Sequence, residues 1–395
     1  MSGNREVVVL SGVRTAIGDF GGSLKDIAAN ELAAQCVREA VSRAKVDPAD
    51  VGHFVLGNVI HSEPRDMYIS RLACVNGGLP HGTPALTVNR LCGSGLQAIV
   101  SASQHVLLGD SDFAAAGGAE SMSRATYMLP GGRWGQRMGD GKTLDAMVGA
   151  LTDPFDGVHM GITAENVAAK YGISRADQDA LAVESHRRAA AATEAGYFKE
   201  QILPITLQSR KGPIVVDRDE HVRGSATVED MAKLKPVFQK DGTVTAGNAS
   251  GINDGAAIVV LAEKGAAAAK GLKPMARLVA YGHAGVDPKY MGIGPVPAVT
   301  RALERAGLKI GDMDVIEANE AFAAQALAVA RQLGFDLAKT NPNGSGVGLG
   351  HPIGATGAIL TVKAIYELHR TRGRYALVTM CIGGGQGIAA IFERM

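Results

Sequence analysis

Two thiols and one imidazole stand out because each sits among closely spaced glycines. Cys92 lies in T-V-N-R-L-C-G-S-G-L-Q-A, Cys381 in L-V-T-M-C-I-G-G-G-Q-G, and His351 in G-V-G-L-G-H-P-I-G-A-T-G-A. Glycines beside a thiol leave room for a bound carbonyl to approach backbone N–H groups. One thiol can carry an acyl group, a second can move a proton, and an imidazole can take the proton the first must lose. Such a set suits acyl transfer on a thioester.

Cys92 ends a short extended run and opens a helix. The N–H groups and dipole there are expected to lower its pKa below the free-thiol value of about 8.5. The plainer alternatives are a buried cysteine at a helix start and a helix-start histidine satisfied by backbone. Cys36 and Cys74 fall inside amphipathic patterns and read as core. After Cys381, the run Gly383-Gly384-Gly385 means a tight bulge or close backbone approach to a ligand. The segment V-I-E-A-N-E-A-F-A-A-Q puts Asn319 and Glu320 at another strand-to-helix corner. An amide there can hold a water or polarise an oxyanion, or it can cap its helix. The loop N-G-S-G-V-G-L-G resembles a phosphate cradle. No clear apolar strand precedes it and no acidic residue follows at dinucleotide spacing, which counts against that reading.

The elements that must position these residues alternate between strand and helix. Strand signals run over Glu6–Leu10, Phe54–Ile60, Ala85–Asn89 and Phe113–Ala116. Asn30 is placed to cap a helix that Asp47-Pro48 ends, and Ser94–Leu108 reads as a helix. From about Ser121 to Ser250 the rhythm is lost, with the only tryptophan, Trp134, in an irregular glycine-rich stretch. The alternation resumes with strand Ala256–Leu261. It continues with strand Arg277–Ala280, helix Val296–Ala306, strand Val315–Ala318 and helix Ala321–Leu333. A loop over Asn341–Gly350, a helix to about His369, and strands Tyr375–Met380 and Ile388–Phe392 complete it. The pattern predicts an α/β fold of βαβ units on a mostly parallel sheet covered on both sides. C-G-S-G-L-Q-A beside H-P-I-G-A-T-G-A suggests a weak internal duplication, with Cys92 and His351 at corresponding corners.

Composition bounds the rest. At 395 residues the chain is expected to divide into two or three domains. With 46% hydrophobic and 20% charged residues it can build a large core and is not disordered as a whole. A net charge of +1 gives no global basic field, so neither nucleic acid nor membrane is an expected partner, and an anionic ligand would need a local basic patch. The four cysteines form no C-x-x-C pair and no His/Cys cluster at zinc spacing, so no metal is expected and a reduced compartment fits. The apolar run after M-S-G-N-R-E is too short for a signal peptide or a membrane span, and F-E-R-M is not a peroxisomal tripeptide; the expected location is cytoplasmic.

Taken together, the segments resemble the thiolase family. The matches are N-x-x-C-x-S-G at Cys92, N-E-A-F at Asn319, G-H-P-x-G at His351 and C-x-G-G-G at Cys381, in that family's order. The likeness covers essentially the whole chain, including G-V-R-T-A-I-G, H-M-G-I-T-A-E-N-V and T-A-G-N-A-S-G-I-N-D-G-A-A. It is nearest to bacterial β-ketothiolases (acetyl-CoA acetyltransferases), some of which accept chains longer than acetyl, and E-P-R-D-M-Y is reminiscent of that group.

The resemblance implies duplicated core domains in α/β/α/β/α layers with a large insertion domain. The division would be 1–121 plus 253–273, 122–252 and 274–395. It implies a reversible Claisen condensation of acetyl-CoA with acetyl-CoA or a short acyl-CoA, serving polyhydroxyalkanoate or fatty-acid metabolism. Cys92 would carry the acyl group, His351 would take its proton, and Cys381 would abstract the α-proton of acetyl-CoA. Two oxyanion sites are implied: His351 with a water held by Asn319, and the N–H groups of Cys92 and Gly383. Coenzyme A and acyl-CoA would be substrates, with no tightly bound cofactor. Their implied site is Leu151, His159, Met160, Arg223, Phe238, Ala246 and Ser250, with Met291 near the acyl end. Asp230 departs from a serine found in some relatives, which bears on one polar contact to the coenzyme. The Trp134 loop resembles a tetramerisation loop, implying a dimer of dimers. The other readings are a degradative 3-ketoacyl-CoA thiolase, a ketoacyl synthase of related architecture, and a non-catalytic lipid carrier or scaffold.

Overall fold

The computed structural model describes residues 5–210 and 212–395. Its longer strands are β1 (Val7–Thr15), β2 (Val51–Gly57), β3 (Ala85–Val88), β4 (Phe113–Ser121), β5 (Asn253–Glu263), β6 (Ala276–Gly285), β7 (Val315–Ala318), β8 (Tyr375–Ile382) and β9 (Gln386–Arg394). The longer helices are α1 (Ala29–Ala44), α2 (Ile69–Asn76), α3 (Ser94–Leu108), α4 (Met160–Tyr171), α5 (Arg175–Glu194), α6 (Pro295–Ala306), α7 (Ala323–Leu333) and α8 (Thr356–Thr371). β1, β4 and β7 are buried along their whole length, as apolar strands covered on both faces must be.

The strands form one eleven-stranded sheet ordered β7-β8-β9-β6-β1-β5-β4-β2-β3, with Gly18–Asp19 and Ile202–Leu203 pairing at its side. The order exposes the duplication. One half runs β1-β5-β4-β2-β3 and the other β6-β9-β8-β7, closed by a parallel bridge from Ile316 to Thr340 where β3 would lie. Antiparallel and parallel neighbours fall at the same places in each half, and β1 meets β6 antiparallel at the join. α3 and α8 pack on each other between the halves, α1 covers the outer face of the first, and α6 covers that of the second. Leu96 and Ile99 of α3 and Leu360 and Val362 of α8 are buried. At about 1.5–3 kcal/mol for each large apolar side chain removed from water, this helix pair is a firm floor for whatever sits at its N-termini.

Three expectations need correction. The sheet is mixed, and antiparallel pairing predominates. β8 returns directly into β9 through the glycine triplet, with Cys381 opposite Gly387 and no helix between, so alternation of signals overstated the βαβ content. Asn30 does not cap α1, which begins at Ala29. Its amide instead donates to Glu63 and Asp66, at 3.1 and 3.2 Å. Residues 121–250 are also more regular than they read, since they hold α4 and α5. Ser121 pairs with Asp254 in the sheet, so the two ends of this excursion lie side by side.

Candidate active site

The Cys92 corner is built by its own motif. Leu91 takes φ +45°, a left-handed conformation that a branched side chain rarely adopts. Asn89 Oδ1 accepts the Leu91 N–H at 3.0 Å, while Ser94 Oγ accepts from Arg90 N–H at 2.8 Å and donates to the Leu91 carbonyl at 2.7 Å. Asn89 and Ser94 therefore lock the turn that ends in the nucleophile. Both were present in the sequence motif, but their role as braces shows only in space.

The Cys92 thiol is pushed up to about 11, not lowered. Burial dominates, and the N–H groups of Gly383 and of Cys92 itself oppose it without overcoming it. Four turns of helix begin only at Ser94, and the dipole of that end is outweighed by loss of water around the sulfur. Those two N–H groups are nevertheless the pair implied as an oxyanion site, and both reach the Cys92 sulfur. A Cβ at Gly383 would meet the Met160 methyl at 2.9 Å, so a side chain would close this approach. Gly384 and Gly385 take φ +79° and +83°, which completes the tight return from β8 to β9.

Cys381 ends β8, fully buried in an apolar cluster with Met160, Met291, Ala321 and Phe322. Burial pushes its thiol strongly up, and the neighbouring Cys92 sulfur adds to this. A Cβ at Gly93 would meet the Ile382 side chain at 2.6 Å, so the corner that carries Cys92 abuts the strand end that carries Cys381.

His351 is buried in the turn before α8, its backbone N–H held by Asn253 Oδ1 at 2.9 Å. Its Nδ1 lies 2.7 Å from Thr356 Oγ1, and Thr356 gives its own hydroxyl proton to the Pro352 carbonyl at 2.9 Å. The hydroxyl oxygen must then accept from Nδ1–H, which leaves Nε2 as the unprotonated, basic nitrogen. Burial pushes His351 down to about 4, so the resting ring is neutral. Asn319 Nδ2 stands 3.3 Å from Nε2. Asn319 caps nothing, because α7 begins at Ala323 after Phe322. Its Oδ1 is buried without a protein partner, which suits an amide that holds a water. Glu320 faces elsewhere, accepting from Ser185 Oγ at 2.6 Å and Asn341 Nδ2 at 2.9 Å. Thr356 and Asn253 went unassigned in the sequence; T-G-A after G-H-P-I-G-A was the available signal for the first.

A cavity of about 390 Å³ leads to His351, lined among others by Leu151, His159, Phe238, Ala246 and Ser250. The His159 ring stacks on Phe238 at 4.6 Å between centroids, and its Nδ1 accepts the Gly161 N–H at the start of α4. Met160 and Met291 are not on this wall but beside Cys381. Asp19 lies at the cavity and pairs with Arg223 at 2.8 Å, which places the half-exposed guanidinium at its rim. Asp230 is occupied with Lys233 and the Thr227 hydroxyl. A second hollow, of about 700 Å³, meets Leu91, Met160, Gly383 and Gly384. Among the described residues no helix is long and apolar enough to cross a membrane.

Known proteins share this sequence and fold. Residues 7–265 match the family description "Thiolase, N-terminal domain" and residues 272–394 match "Thiolase, C-terminal domain". The chain is 69% identical over 392 residues to the beta-ketothiolase BktB of Cupriavidus necator, covering 99% of this chain and 100% of that protein. It superposes on the crystal structure of the Bacillus anthracis acetyl-CoA acetyltransferase with a TM-score of 0.97, at 46% identity and 100% coverage of both chains. The human mitochondrial 3-ketoacyl-CoA thiolase in complex with CoA gives a TM-score of 0.96 at 45% identity, covering 99% of this chain and 98% of that one. With two thiols, an imidazole and an amide meeting on a duplicated sheet, and with both family domains matched end to end, this chain belongs to the thiolase family.

Proposed function

We propose that this acyltransferase is a β-ketothiolase that joins acetyl-CoA to acetyl-CoA or a short acyl-CoA by reversible Claisen condensation, through an acyl group carried on Cys92. The observation that carries the reading is the Cys92 corner set against the strand end of Cys381, with the neutral His351 Nε2 turned toward Asn319. The resting state follows from burial: both thiols hold their protons and the imidazole holds none on Nε2.

In the acyl step the Cys92 sulfur attacks the thioester carbonyl and its proton passes to His351 Nε2. The carbonyl oxygen, now charged, faces the N–H groups of Cys92 and Gly383. The coenzyme sulfur departs with the proton of Cys381, leaving a Cys381 thiolate and a His351 imidazolium. That pair is the primed state for the second step. The thiolate takes the α-proton of an incoming acetyl-CoA, and the enolate oxygen lies against His351 Nε2–H and a water on Asn319. The carbanion attacks the acyl group, the Cys92 sulfur leaves, and His351 returns its proton to it. All three groups end as they began.

The coenzyme is proposed to lie in the 390 Å³ cavity, with Arg223 at its rim available to a phosphate. Asp230 is engaged with Lys233, so a contact from it to the coenzyme is not part of the proposal. The excursion 122–252 would form the coenzyme domain, and the core domains would be 1–121 plus 253–273 and 274–395. Trp134, 89% exposed beyond the small ribbon Tyr127–Met128 with Leu144–Asp145, supports a dimer of dimers built on that loop.

Thiolysis rates on acetoacetyl-CoA and β-ketovaleryl-CoA test the assignment. Turnover of both is expected, and failure of both, with malonyl thioesters accepted instead, would point to a ketoacyl synthase. Asn319→Ala is expected to lower condensation on the order of 10²-fold, the usual loss for one oxyanion donor. Its acetyl adduct on Cys92 should still form, as read by intact mass. Parental condensation in that variant would remove Asn319 from the mechanism.

A further inference from the structure

One buried carboxyl group beside the site is unaccounted for by this chemistry. Glu120 lies in G-G-A-E-S-M-S at the end of β4 and is fully buried. The buried pairs Arg14–Asp219 and Lys363–Glu317 show the usual solution for such a group, a cation at hydrogen-bond distance. Glu120 has no cationic partner among the described residues. N–H groups surround it instead: Asn58 Nδ2 at 3.0 Å and Ile60 N at 3.1 Å on Oε1, Val59 N at 3.1 Å and Gly354 N at 2.9 Å on Oε2. All four are donors, and together they fix both carboxyl oxygens.

The segments held in this way are walls of the active site. Val59 and Ile60 leave β2 and pack with Ile353 and Met122 against Cys92. Gly354 belongs to the turn that carries His351. A Cβ on Gly354 would stand 2.5 Å from Glu120 Oε2 and 3.1 Å from the Asn58 Cα, so this turn is pressed onto the carboxylate. We propose that Glu120 is a positioning residue whose carboxyl group clamps the exit of β2 to the His351–Gly354 turn. The clamp sets the nucleophile and its base relative to each other. Burial pushes Glu120 itself up to about 8, with its N–H donors opposing and Asp66 adding like charge. The other titratable groups at the site are Cys92, Cys381 and His351.

The proposal rests on Cys92 as acyl carrier, so the parent enzyme is scored first. Absence of an acetyl adduct on its Cys92 peptide overturns that reading, and the role of Glu120 with it. With the adduct present, Glu120→Gln turns an amide N–H toward N–H donors. The KM for acetyl-CoA is expected to stay within about twofold of the parent, as for an interaction that acts only on the reacting groups. The kcat for condensation is expected to fall on the order of tenfold or more, since small misplacements of reacting groups are costly. A kcat within about twofold of the parent, or a loss confined to KM, overturns the proposal while leaving the thiolase reading intact. Glu120→Asp keeps the carboxyl group and shortens the arm, so its kcat should also fall; a parental kcat overturns the clamp. Should Glu120→Gln fail to fold, Gly354→Ala tests the same clamp from the other side. It should lower kcat, and a folded Gly354→Ala enzyme with parental kcat overturns the proposal.

Discussion

Cys92→Ala is expected to yield a folded protein that forms no acetyl adduct and has lost condensation and thiolysis by on the order of 10⁴-fold or more, as removal of a covalent nucleophile does elsewhere. The fold should survive because Cys92 is only half-buried, at the N-terminal corner of α3, and truncating its thiol leaves the braces from Asn89 and Ser94 in place. A stability loss of about 1 kcal/mol is the ordinary scale for such a change, so a thermal melt close to that of the parent separates lost chemistry from lost structure. The other thiols are poor substitutes. Cys36 is fully buried and pushed up to about 12, and it lies under the sheet rather than at the cavity. Intact mass after incubation with acetyl-CoA gives the reading: one acetyl on the parent, none on the variant. An adduct that persists on Cys92→Ala would place the acyl group on another residue and overturn the mechanism at its first step.

That expectation could be written from the sequence, whereas the reason the site works in its resting state could not. The glycines beside Cys92, His351 and Cys381 were visible as punctuation, and the corners they make are where the structure puts them. The pKa of Cys92 was misjudged because sequence shows the helix start but not the water lost around the sulfur, and here burial wins. Helix α5 escaped notice for a related reason. Its buried positions, among them Gln178, Asp179, Ala182, Ser185, His186 and Ala189, repeat at helical spacing but are small or polar, so no apolar stripe marks them. They are polar because they are partnered across the fold, Ser185 with Glu320 and Asp179 with Asn248. Thr356 and Glu120 belong to the same class. A hydroxyl that fixes a tautomer and a carboxylate that gathers N–H groups from two loops leave no periodic trace, since their partners lie far away in the chain.

Cys381→Ser is the sharper test of how the two thiols divide the work. It is expected to acylate Cys92 and then stall. In the acyl step Cys381 serves as the proton donor to the departing coenzyme sulfur, and a thiol of pKa near 8.5 is a competent leaving group without much help. Slower acylation that still goes to completion is therefore the expected outcome. In the condensation step the same residue must remove a proton from carbon, which demands a base. A serine hydroxyl in the apolar cluster of Met160, Met291 and Phe322 cannot supply one, and burial there only raises the cost of charge. Loss of a positioned acid–base group corresponds to about 10²–10⁴-fold, and it should appear equally in condensation and thiolysis because both pass through the same transition state. Burying a hydroxyl among apolar neighbours costs about 1–3 kcal/mol, so folding is again checked by thermal melt. Two readouts isolate the defect. The acetyl adduct on Cys92 should accumulate, and exchange of the acetyl-CoA methyl protons with deuterated water, followed by NMR, should vanish. Exchange at the parental rate would take α-proton abstraction away from Cys381, and with it the argument that the acyl step, by drawing the proton off Cys381, makes the base that the carbon–carbon step requires.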